Sequence, residues 1–522
     1  MDCTDILKQI ILYLNDYDSI MMAIVSKKTN ELVKKMLKSE IMVYNENRLY
    51  KIVEIYNNLK IDLQIHFSAL NNYKKINYVR NNITRLNFTG NFPNINMENL
   101  EYLKMDIVQI KNIKFKLKKI KEVYFYNDLG KMYEINNSKL LKNLNNMESL
   151  ILEPQLLIKL SSDNLKNLKR LNFINGYYVL NEHIENLINL ESLKLCKNKT
   201  ITNDAFKNLT KIKTLVLFET NVTTGVLQYL PNIECWSPNY CRNDDYKYMK
   251  NIEKLKILDL SDKSPYPYIS DENIKHIRIK HLILDKNSNI TKYGLNKSIK
   301  KLDLIGNDKI KDNDLKELNL VYLNLQNNDV ITNYGLNHCK NLKMLSLFRN
   351  DKITNGGLIH MNKLEFLDLG MLPQGSEYIK NPRLRCFYYY KGTKVIYPKS
   401  KITDYSLKKL VGLKYLNLEN NNTITDEGIK QLVNLEYLNI KNNKKITING
   451  LINLKKLIEI NCENSLLSVK DLKILLKNNG NLKIVDTCND NTLFDIYYTR
   501  GKYFDNNNDK DTYDFYKKYW EY

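Results

Sequence analysis

The sequence predicts an α/β solenoid assembled from short units, each supplying one strand and one helix. Two phrases and one spacing predict it. The first phrase is Ile290-Thr-Lys-Tyr-Gly-Leu295. It returns as Ile331-Thr-Asn-Tyr-Gly-Leu336, Ile353-Thr-Asn-Gly-Gly-Leu358, Ile402-Thr-Asp-Tyr-Ser-Leu407, Ile424-Thr-Asp-Glu-Gly-Ile429 and Ile446-Thr-Ile-Asn-Gly-Leu451. The second phrase lies between copies of the first and reads Leu-x-x-Leu-x-Leu-x-x-Asn. Leu190/Leu193/Leu195/Asn198, Leu342/Leu345/Leu347/Asn350 and Leu413/Leu416/Leu418/Asn421 are examples. Successive central leucines mostly stand 20 to 22 residues apart. A fixed period of this size marks stacked supersecondary units, because one unit alone cannot bury its apolar face.

The strand comes first in each unit. Its central residues number 19, from Leu86 through Leu103, Leu193, Leu345, Leu367, Phe387 and Leu416 to Val485. Leu-x-Leu is a period of two, so both leucines face one side of a sheet and the residues flanking the central one face the other. The leucine side is the expected core, and the flanking side the inner, concave surface. The Asn that follows the strand (Asn198, Asn287, Asn307, Asn328, Asn350, Asn421, Asn443) suits a ladder that satisfies buried backbone groups at the turn.

The helix comes second. Thr in the Ile-Thr phrase is a good N-cap, and Asp or Asn follows it where the first turn favours such residues. The small fifth residue (Gly294, Gly335, Gly357, Ala205, Ser406, Gly428, Gly450) is expected to let helix and sheet approach closely. These glycines recur with the repeat and no Gly-rich loop runs on into Lys and Ser/Thr, so they form no phosphate-binding loop. Period and pattern together are those of leucine-rich repeats.

Composition bounds the rest. The chain has 522 residues with only 9 Pro and 17 Gly, which argues against long flexible linkers. Its start is acidic (Asp2, Asp5) and Lys8 and Asn15 interrupt the apolar run, so a secretory leader is not expected. No stretch is long and apolar enough to span a membrane. The eight cysteines are scattered, without a Cys-x-x-Cys pair, which speaks for reduced thiols inside a cell. The formal charge is +22. The lysines are spread along the chain, so nucleic acid is not the expected partner. Two clusters keep that alternative open: Lys27, Lys28, Lys34, Lys35 and Lys38, and Lys111, Lys114, Lys116, Lys118, Lys119 and Lys121.

Residues 1–40 do not share the repeat. Ile6, Leu7, Ile10, Ile11 and Leu14 fall at helical spacing, as do Ile20, Ile24 and Val25, and then Leu32, Val33 and Leu37. Three short amphipathic helices cannot bury much alone, so this piece caps the solenoid or docks on a partner. The expected organisation is a helical segment over 1–40, a linker or N-terminal cap over 41–80, about 19 repeats over 81–488, and a C-terminal cap and disordered tail over 489–522.

Asp5-Ile-Leu7, Ile10-Ile-Leu-Tyr-Leu14, Asp18-Ser-Ile20 and Val25-Ser-Lys27 followed by Leu32 resemble the F-box. Two positions depart from it. Cys3-Thr4 stands where that family has Leu-Pro, and Thr29 where it has Trp. The repeats are similar to the cysteine-containing class of leucine-rich repeat that many F-box proteins carry. The combination resembles F-box and leucine-rich-repeat proteins encoded by giant DNA viruses of amoebae. The resemblance implies an intracellular adaptor, and a monomer is expected. Its F-box would bind a Skp1-like adaptor of a cullin–RING ubiquitin ligase and its repeats would hold a protein target. Carried over position by position, Ile6, Leu7, Ile10, Leu14, Ile20, Val25 and Leu32 match the motif. A plain repeat scaffold and a basic nucleic-acid-binding solenoid stand as the other readings.

No catalytic set emerges, and neither a cofactor nor a metal is expected. The six histidines lack metal-ligand spacing, and no Gly-x-Ser-x-Gly elbow exists. Cys488-Asn-Asp490 matches the Cys-x-Asp nucleophile of a bacterial ligase family, but only 34 residues follow the motif's cysteine, too few for the helical domain that chemistry needs. The concave face says more. Tyr322, Phe348, Phe366, Tyr388, Tyr390, Tyr415 and Tyr437 are expected there, interleaved with acidic residues including Asp303, Asp368 and Glu419. Aromatic anchors in a polar field are the stuff of interface hot spots.

Overall fold

The computed structural model describes residues 80–485 apart from 82, 90–96, 107–117, 127–143, 145, 153–164, 174–175, 178, 240–247, 250–251, 262–268, 288, 372–399 and 480–481. It also describes the backbone strands 40–43 and 60–66. Among these residues 20 strands form one sheet. Every strand pairs in parallel with the next one in sequence, and the first and last do not pair, so the sheet is open. The fold is a leucine-rich-repeat solenoid.

Register follows the expected central residues. Leu323 pairs with Leu345, Leu345 with Leu367, and Leu416 with Leu438. These leucines are almost fully buried, and so are the Ile and Leu of the helix phrase, such as Ile331 and Leu336. One continuous apolar core therefore runs between the sheet and the outer layer. That outer layer is thin. Most units contribute a single turn, such as Asn333–Leu336, Asn355–Leu358 and Asp426–Ile429.

The sheet departs from the expected register in three places. Glu40–Val43 and Lys60–His66 precede the Leu86 strand, and the second pairs with it through Leu63. The sheet thus begins within the stretch expected to be linker or cap. Neither strand carries the Leu-x-x-Leu-x-Leu phrase. Next, the expected strand centre Phe387 lies outside the described residues, and the strand that pairs with Phe366 and Leu367 is the one carrying Tyr415 and Leu416. The final strand is centred on Ile484, not Val485, because Ile460 pairs with Ile484. The ten-residue helix Val469–Asn478 replaces the usual single turn. The chain then enters the sheet two residues after buried Leu482 instead of three.

The asparagine ladder forms as expected. Asn328 Nδ2 donates to the carbonyls of Leu304 at 2.9 Å and Asn307 at 3.0 Å, while its Oδ1 accepts from the amides of Val330 and Ile331. Asn307 and Asn350 repeat the arrangement one unit away on either side. The residue before most ladder asparagines adopts a left-handed backbone, among them Gly306 with φ 57° and Asn327 with φ 51°.

A second ladder lies at the helix starts, and it corrects the reading of the small fifth residue. Where the residue after the cap position is Asp or Asn, it reaches forward in most units to the cap Thr of the next one. Asp312 accepts from Thr332 N at 2.8 Å and Thr332 Oγ1 at 2.6 Å, Asn333 likewise engages Thr354, and Asp426 engages Thr447. A Cβ on Gly294 would fall 2.6 Å from Asp271 Oδ1, and Gly335 and Gly428 stand in the same relation to Asp312 and Asp404. The small residue thus makes room for the preceding unit's carboxylate, not for the sheet. Lys292 and Ile448 offer no such oxygen, and the units after them cap themselves: Lys311 N bonds Asp314 and Ser468 N bonds Asp471, as Ser270 N bonds Asn273.

Candidate functional site

Two rows of side chains stand on the sheet face opposite the core. The row before each central leucine runs His281, Lys301, Tyr322, Met344, Phe366, Tyr415, Tyr437. The row after it runs Ile283, Asp303, Asn324, Ser346, Asp368, Asn417, Asn439. Register puts neighbours about one strand spacing apart, ~4.8 Å, close enough for direct contact. Tyr322, Met344 and Phe366 form an apolar cluster of their own, with Tyr415 packed against it. The Phe366 and Tyr415 rings stack at 4.2 Å and 5°.

The second row does work that the sequence reading did not foresee. Its oxygens accept from the backbone amide two residues on: Asp368 from Gly370 at 3.0 Å, Asn417 from Glu419 at 3.0 Å and Asn439 from Lys441 at 3.0 Å. Such Asx turns end the strand after three residues. The amides also bond sideways, Asn324 to Asp303 and Asn417 to Asp368, each at 2.8 Å. The signal was present as Asp or Asn recurring one residue after the central leucine.

Asp303 is the most connected of them. Its carboxylate meets His281 Nε2 at 2.6 Å and accepts from Tyr322 OH and Asn324 Nδ2 at 2.8 Å each. The Tyr322 ring stands edge-on to His281. His281 is therefore an inner-face residue held by a carboxylate. It is only 2% exposed and Asp303 6%, which makes the pair structural rather than a general base open to substrate.

Burial sets the electrostatics further along the face. It raises Asp368 above the usual carboxylate range, against the bonds from Gly370, Ser346 and Asn417 that pull the other way. It also raises Glu419, with nearby Lys441 opposing and Asp368 and Glu463 adding. It lowers Lys301 and raises Tyr437. Lys441 forms an ion pair with Glu463 at 2.6 Å.

The expected site residues divide as follows. Tyr322 and Phe366 lie on the predicted face but are 7% and 3% exposed, and Asp303 is as closed, so these three support the face. Phe348, Asp368, Tyr415, Glu419 and Tyr437 are half-buried and offer area. Tyr388 and Tyr390 lie outside the described residues, as do Ile6, Leu7, Ile10, Leu14, Ile20, Val25 and Leu32, and Cys488 with Asp490. Of the second lysine cluster, Lys119 donates to Asn99 and Lys121 pairs with Glu101, both as rungs between units. Among the described residues no group of His, Cys, Asp and Glu is arranged to hold a metal, and no helix is long and apolar enough to cross a membrane. Burial pushes the Cys235 and Cys339 thiols up to about 12, so they stay protonated.

No family model matches this chain, and no curated protein does. Solved structures are similar to it. An internalin of Listeria monocytogenes shares 20% identity over 68% of this chain and 92% of its own, at a TM-score of 0.35. TLR13, solved in complex with ssRNA13, shares 17% over 85% of this chain and 62% of its own, at 0.37. A leucine-rich-repeat protein of Leptospira interrogans shares 20% over 80% and 98%, at 0.35. With scores this low the repeat assignment rests on the register and ladders above.

Proposed function

We propose that this chain is a protein-binding solenoid that holds its target on the inner sheet face between the Leu258 and Ile460 strands. The observation that carries the reading is the second apolar cluster. Tyr322, Met344, Phe366 and Tyr415 gather on the face away from the core, in a field of carboxylates that includes Asp368, Glu419 and Glu459. Aromatic anchors ringed by polar groups suit recognition of a protein surface. The acidic field suits a basic or mixed-charge target, although the whole chain is basic. No catalytic step is assigned.

The finer reading is a substrate-recognition subunit. Residues 1–40 would engage a Skp1-like adaptor and the solenoid would present the target to a ubiquitin ligase. What supports it is the F-box resemblance at Ile6, Leu7, Ile10, Leu14, Ile20, Val25 and Leu32.

The test begins with proteins that co-purify with the full chain. Phe348, Tyr415 and Tyr437 are changed together to Ala, and Glu419 separately to Lys. Half-buried residues are chosen because Phe366 or Asp303 variants would disturb the sheet itself. Loss of the same proteins from both variants supports the face. Full capture by both, with loss on neutralising Lys118, Lys119 and Lys121, would move binding to the basic edge.

A further inference from the structure

A row of charged side chains runs along the rim where the strands begin, two residues before each central leucine. Its members are tied from unit to unit by backbone bonds, such as Lys121 N to the Glu101 carbonyl at 2.8 Å and Lys300 N to the Lys280 carbonyl at 2.9 Å. From Glu101 to Lys256 the members alternate, Glu then Lys, without exception. The alternation makes ion pairs, among them Lys121–Glu101 at 2.9 Å, Lys213–Glu191 at 2.8 Å and Lys256–Glu234 at 2.7 Å.

The alternation ends at Lys256. Lys280 and Lys300 follow it, so three consecutive members carry one sign. Register holds adjacent members about one strand spacing apart, ~4.8 Å, where like charges repel. Exposed Arg278 adds a further cation beside Lys280, and Lys301 carries the charge on to the inner face. Among the described residues no ion pair reaches Arg278, Lys280 or Lys300. The run therefore lowers stability, and no contact among the described residues offsets it.

We propose that Arg278, Lys280 and Lys300 dock an acidic peptide segment of a partner protein along the rim. Carboxylates seated between the lysines supply the negative members that the row lacks, through charge-assisted hydrogen bonds. The extent of the patch selects the ligand. Glu234 lies beyond Lys256 on one side and uncharged Val321 beyond Lys300 on the other. Lys256, Lys280 and Lys300 span ~10 Å, room for about two or three carboxylates. A nucleic acid needs a longer track, because its affinity is summed over many phosphates. Along this rim it would meet Glu234, Glu191 and Glu148 in turn. The patch adjoins the candidate face, since Lys301 pairs in register with Tyr322. It would hold its segment whether or not that face holds a target.

The probe is fluorescein-labelled hexaglutamate, titrated with the full chain at low salt and read by anisotropy. Lys280→Glu with Lys300→Glu should weaken binding at least about tenfold. Lys470→Glu with Lys473→Glu makes the same change of net charge at exposed positions of the Val469–Asn478 helix and should weaken it less than about threefold. Equal losses from the two pairs would mean general attraction to a basic chain and would overturn the site. Labelled oligothymidylate bound more tightly than hexaglutamate, and released by the same Lys280 and Lys300 changes, would overturn the peptide in favour of nucleic acid. Stability gives a second readout. Lys280→Glu alone restores the alternation between Lys256 and Lys300, so its urea midpoint should rise at low salt, with the gain lost at high salt. A midpoint unchanged or lowered would overturn the reading of the lysine run as a destabilising site that a ligand completes.

Discussion

At the scale of single residues, the tightest constraint is the turn that follows each strand. The residue before a ladder Asn has positive φ: Gly306 57°, Lys286 52°, Arg349 56°, Asn420 56°. Left-handed backbone costs ~1–2 kcal/mol for most side chains and little for Gly or Asn. This explains the Asn-Asn pairs at 327–328, 420–421 and 442–443, where only the second member was read from the sequence as functional to the fold. Gly306→Ala should destabilise by about 1 kcal/mol and Lys286→Gly should stabilise by up to about 1 kcal/mol, as read by urea unfolding. Asp368 makes a separate case. Burial raises its folded pKa above the ordinary 3.8. The folded state then holds the proton more tightly than the unfolded one, so stability falls as pH rises from about 3.8 through the folded value, and is level above it. Asp368→Asn should therefore be more stable than the parent at pH 7, with the gain vanishing below about pH 4. Glu365 runs the opposite way: its bond to Lys414 lowers it, so its contribution is present above 4.5 and lost as pH falls through the folded value. Urea midpoints at pH 7 and pH 3.5 check both signs.

At the scale of elements, the strand and its cap were legible, and the strand that follows Leu367 was not. Leu-x-Leu fixed which side of each strand is core, and a period of two leaves no freedom once one face is buried. Leu345→Ala should cost ~2–5 kcal/mol as a buried large-to-small change. The loss should spread as faster hydrogen exchange over residues 320–370, since each unit leans on its neighbours. The step after Leu367 shows how far the pattern reaches. Leu384-Arg-Cys-Phe387 has the apolar spacing of a strand entry and sits one period after Leu367, yet pairing runs from Leu367 to Leu416. Apolar spacing alone does not say which segment pairs with a given strand. The cap ladder was half legible: Thr was read as the N-cap, and its partner in the preceding unit lies 20 residues away, beyond any local pattern. Asp312→Ala removes both bonds to Thr332 and should cost about 1–2 kcal/mol. A matched loss with Gly335→Ala, whose added methyl would meet the Asp312 carboxylate, would tie both effects to one contact.

At the scale of the whole molecule, charge is segregated in a way the net value hides. The chain carries +22, yet most charged residues on the second half of the inner face are acidic (Asp259, Asp303, Asp368, Glu419 and Glu459 against Lys301 and Lys441), and Lys119 and Lys121 serve as rungs. Composition alone pointed towards an acidic partner, and only the register showed which residues face inward. The candidate site was legible to that extent. The burial of Tyr322, Phe366 and Asp303 was not, because it follows from how neighbouring strands bring their side chains together. The two ends of the chain should also act independently. Solenoid stability comes from nearest-neighbour contacts between repeats, so a change in residues 1–40 has no route to the Leu416 strand except through the whole stack. Ile10→Lys with Leu14→Lys should abolish binding of a Skp1-like adaptor while leaving both target capture and the far-ultraviolet circular dichroism of the full chain unchanged. Normal adaptor binding by this double variant would sink the delivery role and leave the target-holding face standing. Loss of target capture along with adaptor binding would show that the first 40 residues cap the stack, and that the F-box resemblance marks a structural piece of the solenoid instead of a docking module.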